Sequence, residues 1–168
     1  MNSTPLFFHG REGSNRGKKA RWLTREYGAC TPTYPTDTLE QAMPMARQIL
    51  EEHQPNVVVG SSFGGAVLLK LIQEKLWSGP SIFLAQAGVK FGLEPSLPAG
   101  IEAVLIHGNR DGAVDIEDSQ RLAESAGVQF VEVDDDHRLG TIRDSGVLAH
   151  ALTSLGVAPQ LTVASGDL

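Results

Sequence analysis

Apolar residues in this chain fall into short runs, separated by longer stretches in which they recur every three or four positions. Residues 5–10, Pro-Leu-Phe-Phe-His-Gly, form the first run and predict a buried strand ending in glycine. Residues 16–27 follow with Ala20, Leu23 and Tyr27 on one face and Lys18, Lys19 and Arg25 left for water, the period of an amphipathic helix. Residues 29–34 predict a second strand, held to an edge or an extended segment by Pro32 and Pro35, which lack an N–H. Residues 38–53 predict a helix with Leu39, Met43, Ala46 and Leu50 on one face, Thr36 or Asp37 placed to cap it and Pro55 to end it.

The run Val57-Val58-Val59 stops in Gly60-Ser61-Ser62-Phe63-Gly64, and helix-like spacing resumes from Ala66 to Leu76. Further strands are predicted at 81–86, 103–107 and 129–133, with a helix at 117–126 between the last two. A final helix runs from about Thr141 or Ser145 to Leu155. Strands that alternate with helices imply an α/β fold, a three-layer α/β/α sandwich around a mostly parallel sheet. The 168 residues suit one domain, 1–156, with 157–168 expected to be a flexible tail.

Composition narrows the partners. A hydrophobic content of 41% and a charged content of 20% suit a soluble globular domain. The net charge of -6 argues against nucleic acid, whose phosphates require a dense basic face. No stretch approaches the roughly 18 apolar residues of a membrane span, and the first residues lack the charged region and length of a signal peptide. Cys30 stands alone, so no internal disulfide forms and it reads as a small buried hydrophobe. A cytoplasmic setting is expected, with a small-molecule substrate as partner.

Reactive groups of a parallel α/β sheet gather beyond the carboxyl ends of its strands. Beyond the first stand His9-Gly10-Arg11, and beyond the Val57 strand Ser62. His107-Gly108-Asn109-Arg110-Asp111 and Asp134-Asp135-Asp136-His137 follow the last two. The segment centred on Ser62 reads as G-x-S-x-G, a strand-to-helix turn that holds a serine hydroxyl out toward substrate. A serine needs a base to take its proton, and the base needs a carboxylate to set its tautomer; His137 and Asp111 supply these. The amides of Phe63 and Arg11 are the expected oxyanion donors.

Other residues carry blander readings. Asp115 lies in the same loop as Asp111 and is the alternative acid. The three aspartates 134–136 read as a solvated turn before a calcium site. His9 and His107 precede glycines at strand ends and read as hydrogen-bonded structural residues, neither being the base. Arg11, Arg16, Lys18, Lys19 and Arg21 lie beside the oxyanion loop and read either as a solvated helix face or as a lure for an anionic substrate. On the second reading, His9, Arg16 and Lys18 are the candidate substrate contacts. A phosphate-binding G-x-x-x-x-G-K loop fails, since Glu12 stands where glycine is required and Lys19 where Ser or Thr is. No metal and no organic cofactor is called for.

These segments resemble the α/β-hydrolase superfamily, most closely its small lidless bacterial esterase-like members. The resemblance rests on His9-Gly10, on Gly17-Lys18-Lys19-Ala20-Arg21-Trp22-Leu23, on Gly60 to Gly65, on His107 to Asp111 and on Asp136-His137-Arg138, in that order. It implies a serine esterase or thioesterase working through an acyl-enzyme. The first two strands of the full fold have no counterpart here, so about six strands in the order 2-1-3-4-5-6 are implied. Only 87–100 occupies the place of a lid, so the site is expected to be open. An acyltransferase or amidase using the same triad, action on a protein-bound acyl group, and a non-catalytic interaction module on the same fold are the alternatives.

Overall fold

Alternation along each short strand decides which helix it meets. Strands β1 (Leu6–Phe8), β2 (Val58–Ser61), β3 (Ser81–Leu84), β4 (Ala103–Gly108) and β5 (Gln129–Val133) form one parallel sheet in the order β1-β2-β3-β4-β5. Leu6, Phe8, Val58, Phe83 and Leu105 face one side. Phe7, Val59, Ile82, Leu84, Val104 and Ile106 face the other. The computed structural model describes residues 3–160.

Helices cover both faces. α2 (Leu39–His53), α3 (Phe63–Gln73) and α4 (Ile116–Ala126) pack Leu50, Val67 and Leu122 on the first set of strand residues. α1 (Lys18–Tyr27) and α5 (Val147–Ser154) pack Leu23, Tyr27, Leu148 and Leu152 on the second. Each buried leucine, isoleucine or phenylalanine contributes about 1.5–3 kcal/mol, so the strands that carry the site residues are rigidly held. Among the described residues, no helix is long and apolar enough to cross a membrane.

The sheet has five strands rather than about six. The segment predicted as a second strand, 29–34, makes a single parallel bridge between Cys30 and Leu6. The Cys30 amide donates to the Pro5 carbonyl at 2.8 Å and the Phe7 amide to the Cys30 carbonyl at 2.9 Å. Pro32 and Pro35 then prevent the ladder from continuing. The bridge sits beside β1, where the implied order places a second strand.

Ends of helices moved from their sequence expectation for local reasons. Thr38, rather than Thr36 or Asp37, caps α2 by accepting from the Gln41 amide at 3.1 Å. α5 begins only after Gly146, whose φ of 84° is the left-handed conformation glycine tolerates. α3 begins earlier than expected, at Phe63 directly after the serine. The expected tail starts with Val157 buried in the core, and the Gln160 amide donates to the Glu26 carbonyl at 2.7 Å; residues 161–168 lie outside the described part.

Candidate active site

Ser62 stands between β2 and α3 with φ 55° and ψ -113°, a conformation that costs a non-glycine residue about 1–3 kcal/mol. Crowding forces the turn. A Cβ on Gly64 would lie 1.9 Å from the Phe8 carbonyl oxygen, and one on Gly60 would lie 2.4 Å from the Gly64 carbonyl oxygen. Without side chains at 60 and 64, α3 starts immediately above the strand ends and the Ser62 hydroxyl projects from the turn.

The hydroxyl meets an imidazole. Ser62 Oγ is 2.9 Å from Nε2 of His137, and Nδ1 of His137 is 2.7 Å from Oδ2 of Asp111. His137 follows β5, and the backbone binds its turn to the acid loop: the Arg110 amide donates to the Asp135 carbonyl at 2.9 Å. A Cβ on Gly108 would lie 2.3 Å from that same carbonyl oxygen, so only glycine lets β4 end this close to the turn.

Asp111 is buried and fully engaged. Its side chain has no exposed surface, and Oδ1 accepts the amides of Ala113 and Val114, each at 2.8 Å. Burial pushes its pKa up, but the Val114 amide, the His137 hydrogen bond and the Ala113 amide outweigh it and hold the carboxyl below its usual range. It is therefore an anion near neutral pH. Asp115, the alternative acid, instead caps α4 by accepting the Glu117 amide at 3.0 Å.

The loop after β1 passes close over the serine. The Gly10 carbonyl accepts from Nδ1 of His9 at 2.7 Å and from the Gly13 amide at 3.1 Å. Because a trans peptide sets its N–H opposite its C=O, these two bonds also fix the direction of the Arg11 amide. Among the described residues, neither the Arg11 nor the Phe63 amide donates to a backbone carbonyl. The Arg11 guanidinium donates from Nε to the Thr36 carbonyl at 2.9 Å and also reaches the Asp37 carbonyl. It lies 4.6 Å from the Phe91 ring centre and 5.6 Å from that of Phe63.

The other basic residues diverge. Lys19, read as solvent-facing, is half-buried and donates from Nζ to the Arg138 carbonyl at 2.6 Å, next to His137. Arg16 lines a surface pocket of about 430 Å³ with Asn15, Arg21, Thr24, Arg25 and Thr31, a lining that includes none of Ser62, Asp111 and His137. Lys18 is exposed on the first turn of α1. His9 lies under Tyr34, whose hydroxyl donates to the His9 carbonyl.

The three aspartates point apart. Asp134 pairs with Arg110 at 2.9 Å, Asp135 accepts the amide and hydroxyl of Thr141 at 2.9 and 2.6 Å, and Asp136 accepts the Arg138 amide at 2.9 Å. Among the described residues no group of three or more His, Cys, Asp or Glu side chains is placed to hold a metal ion. Asp135 is a brace for the His137 turn, which the solvated-turn reading did not foresee.

A parallel sheet flanked on both faces, with a serine on the strained turn after β2 and an acid and a histidine after β4 and β5, decides the fold. It is the α/β-hydrolase fold. A protein from Xanthomonas campestris pv. campestris assigned to the alpha/beta hydrolase superfamily shares it at 20% identity and a TM-score of 0.74, over 92% of this chain and 100% of its own. Mouse alpha/beta hydrolase domain-containing protein 10 shares it at 16% identity and a TM-score of 0.77, over 90% of this chain and 88% of its own. The esterase domain of a Rhodothermus marinus protein follows at 19% identity and a TM-score of 0.61, over 90% and 84%. No protein-family model and no curated protein sequence matches the chain. On the α/β-hydrolase scaffold, the hydrogen-bonded chain Ser62–His137–Asp111 can deprotonate a hydroxyl as it attacks an electrophilic carbon.

Proposed function

We propose that the protein is a serine hydrolase that cleaves a small ester or thioester through an acyl-enzyme. The observation that carries this reading is the continuous path from Ser62 Oγ to His137 Nε2 at 2.9 Å and from His137 Nδ1 to a buried, ionised Asp111 at 2.7 Å. The names of the fold's neighbours, hydrolases and an esterase domain, support the class.

In the proposed cycle, Ser62 Oγ attacks the carbonyl carbon while its proton passes to Nε2 of His137. The tetrahedral oxyanion is held by the amides of Phe63 and Arg11. Collapse breaks the bond to the alkoxide or thiolate, which takes the proton from His137 and departs as an alcohol or thiol. Water then gives a proton to His137, attacks the acyl-Ser62 carbon and releases a carboxylic acid, and the proton returns to Ser62. The scheme requires no metal or organic cofactor.

Wild type and Ser62→Ala treated with a fluorophosphonate and weighed by mass spectrometry test the reading, with turnover of a short acyl ester measured in parallel. Labelling and turnover in wild type alone support it. Labelling without turnover keeps the nucleophile and assigns it a specialised acyl donor, such as a protein-bound acyl group. An unlabelled wild type overturns it and favours the interaction module.

A further inference from the structure

His107 takes no part in the proposed chemical steps, yet it is fully buried at the end of β4 and touches the acid. Its Nε2 lies 3.0 Å from Asp111 Oδ2 and 3.1 Å from the Val114 carbonyl. Both neighbours only accept, so Nε2 carries a hydrogen.

The opposite ring nitrogen is defined by a chain of polarities. The Gly88 amide donates to Gln86 Oε1 at 2.8 Å, which orients the Gln86 amide so that Nε2 donates to Ser119 Oγ at 3.0 Å. The Ser119 hydroxyl is left to donate its own hydrogen to His107 Nδ1 at 2.7 Å. Nδ1 is therefore bare and His107 is neutral. Burial also lowers the His107 pKa, against the smaller opposing pull of Asp111.

Asp111 thus receives N–H groups from Ala113 and Val114 on one oxygen and from His137 on the other, and that second oxygen also lies 3.0 Å from His107 Nε2, whose hydrogen goes to the Val114 carbonyl.

We infer that His107 is a positioning residue. Held neutral by the relay Gly88–Gln86–Ser119, it sets its Nε2–H edge against Asp111 Oδ2 and so keeps that oxygen in place opposite His137. The inference rests on the serine-hydrolase reading for its kinetic consequence, but its structural content is independent of activity. The titratable groups facing His107 are Asp111 and, beyond it, His137.

Two measurements test it. In ¹⁵N-labelled wild type, two-bond proton–nitrogen spectra, assigned through contacts to Val114 and Ser119, report the tautomer of His107. The expected result is a neutral Nε2–H ring from about pH 8 through the range in which an ordinary histidine takes up its proton. A charged or Nδ1–H ring in that range overturns the inference, whether or not the protein turns over an ester.

The kinetic arm uses H107F, which lacks the donor, and H107Q, which restores one near the position of Nε2. H107F is expected to lose about 10- to 100-fold in kcat/KM, the usual scale for a partner that orients a functional side chain. The acidic limb of its pH profile is expected to move upward, since loss of the ring N–H beside it leaves more charge on Asp111 Oδ2. H107Q returns that limb toward wild type. A limb unmoved in H107F, or not restored in H107Q, overturns the inference. Absence of fluorophosphonate labelling in wild type overturns the hydrolase reading instead and leaves the spectroscopic arm standing. If H107F fails to fold, the tautomer measurement on wild type still decides.

Discussion

Gly10 lies against Ser62: a Cβ added to Gly10 would stand 3.1 Å from the Ser62 Cβ and 3.3 Å from the Ser61 carbonyl oxygen. Neither partner is a flexible side-chain end, so Gly10→Ala must move the loop by a few tenths of an ångström. The Arg11 amide moves with it. We expect kcat/KM to fall by about 10-fold with little change in melting temperature, because small displacements at a reacting centre are costly to rate. Steady-state kinetics alongside a thermal melt checks the separation.

Gly64→Ala affects folding. Its Cβ would fall 1.9 Å from the Phe8 carbonyl oxygen, a backbone atom of a buried strand with nowhere to go. A loss of about 3 kcal/mol or more is expected, in the range of severe overpacking. Gly140→Ala, where no heavy atom lies within 4 Å, serves as the control and stays near wild type. Urea midpoints of the two variants give the contrast.

Asp111→Asn keeps the shape of the acid but places an NH₂ among N–H donors. Whichever way the amide turns, its NH₂ faces either the Ala113 and Val114 amides or the two imidazoles. His137 then loses the partner that sets its tautomer. A fall of about 10³- to 10⁴-fold in kcat is expected, the scale on which serine triads respond to this change. Burst and steady-state assays on the same ester would measure it.

The first strand and helix, the turn at Ser62 and the order of acid and histidine were legible in the sequence because each is encoded locally. β-branched runs, glycine spacing and the period of α1 need no distant contact to be read. The missing second strand was half-legible, since Pro32 and Pro35 forecast its weakness and the single Cys30 bridge is what remained. The late start of α5 was hidden, because Asp135 holds Thr141 in a turn only once the sheet has formed. His107 was read as a hydrogen-bonded structural histidine, but its partner Asp111 was not identified. The four-residue spacing in His107-Gly108-Asn109-Arg110-Asp111 was the available signal.

Stability has two expected pH windows. His107 is held neutral, with its pKa lowered by burial, so the unfolded chain binds the extra proton and stability declines as pH falls below about 6.5. Asp111 and Asp135 are also lowered, their hydrogen bonds outweighing the burial that raises them. Their contribution is present above the unfolded carboxylate range and is lost as pH drops through their folded values, below about 4. Urea unfolding from pH 8 to 3 is expected to show both declines. His107→Phe removes the upper one, and Asp135→Asn reduces the lower one.

Lys19→Met keeps the aliphatic stem and removes the ammonium that holds the Arg138 carbonyl at 2.6 Å. The His137 turn then loses its tie to α1. A several-fold drop in kcat/KM with a small change in melting temperature is expected, since one solvent-exposed hydrogen bond contributes only about 0.5–1.5 kcal/mol to stability. The rate of fluorophosphonate labelling follows the same drop if the base is displaced.

The backbone at position 62, with φ 55° and ψ -113°, is one in which glycine would be at ease and serine is not. Sequence drift judged only by folding would therefore replace Ser62 with glycine, gaining stability at no structural loss. A lineage that no longer used the hydroxyl would be expected to forfeit it early, before the surrounding glycines, whose crowding holds β2 and α3 together. A serine at this position is a residue the fold alone does not ask for, and the proposed nucleophile is what would call for it.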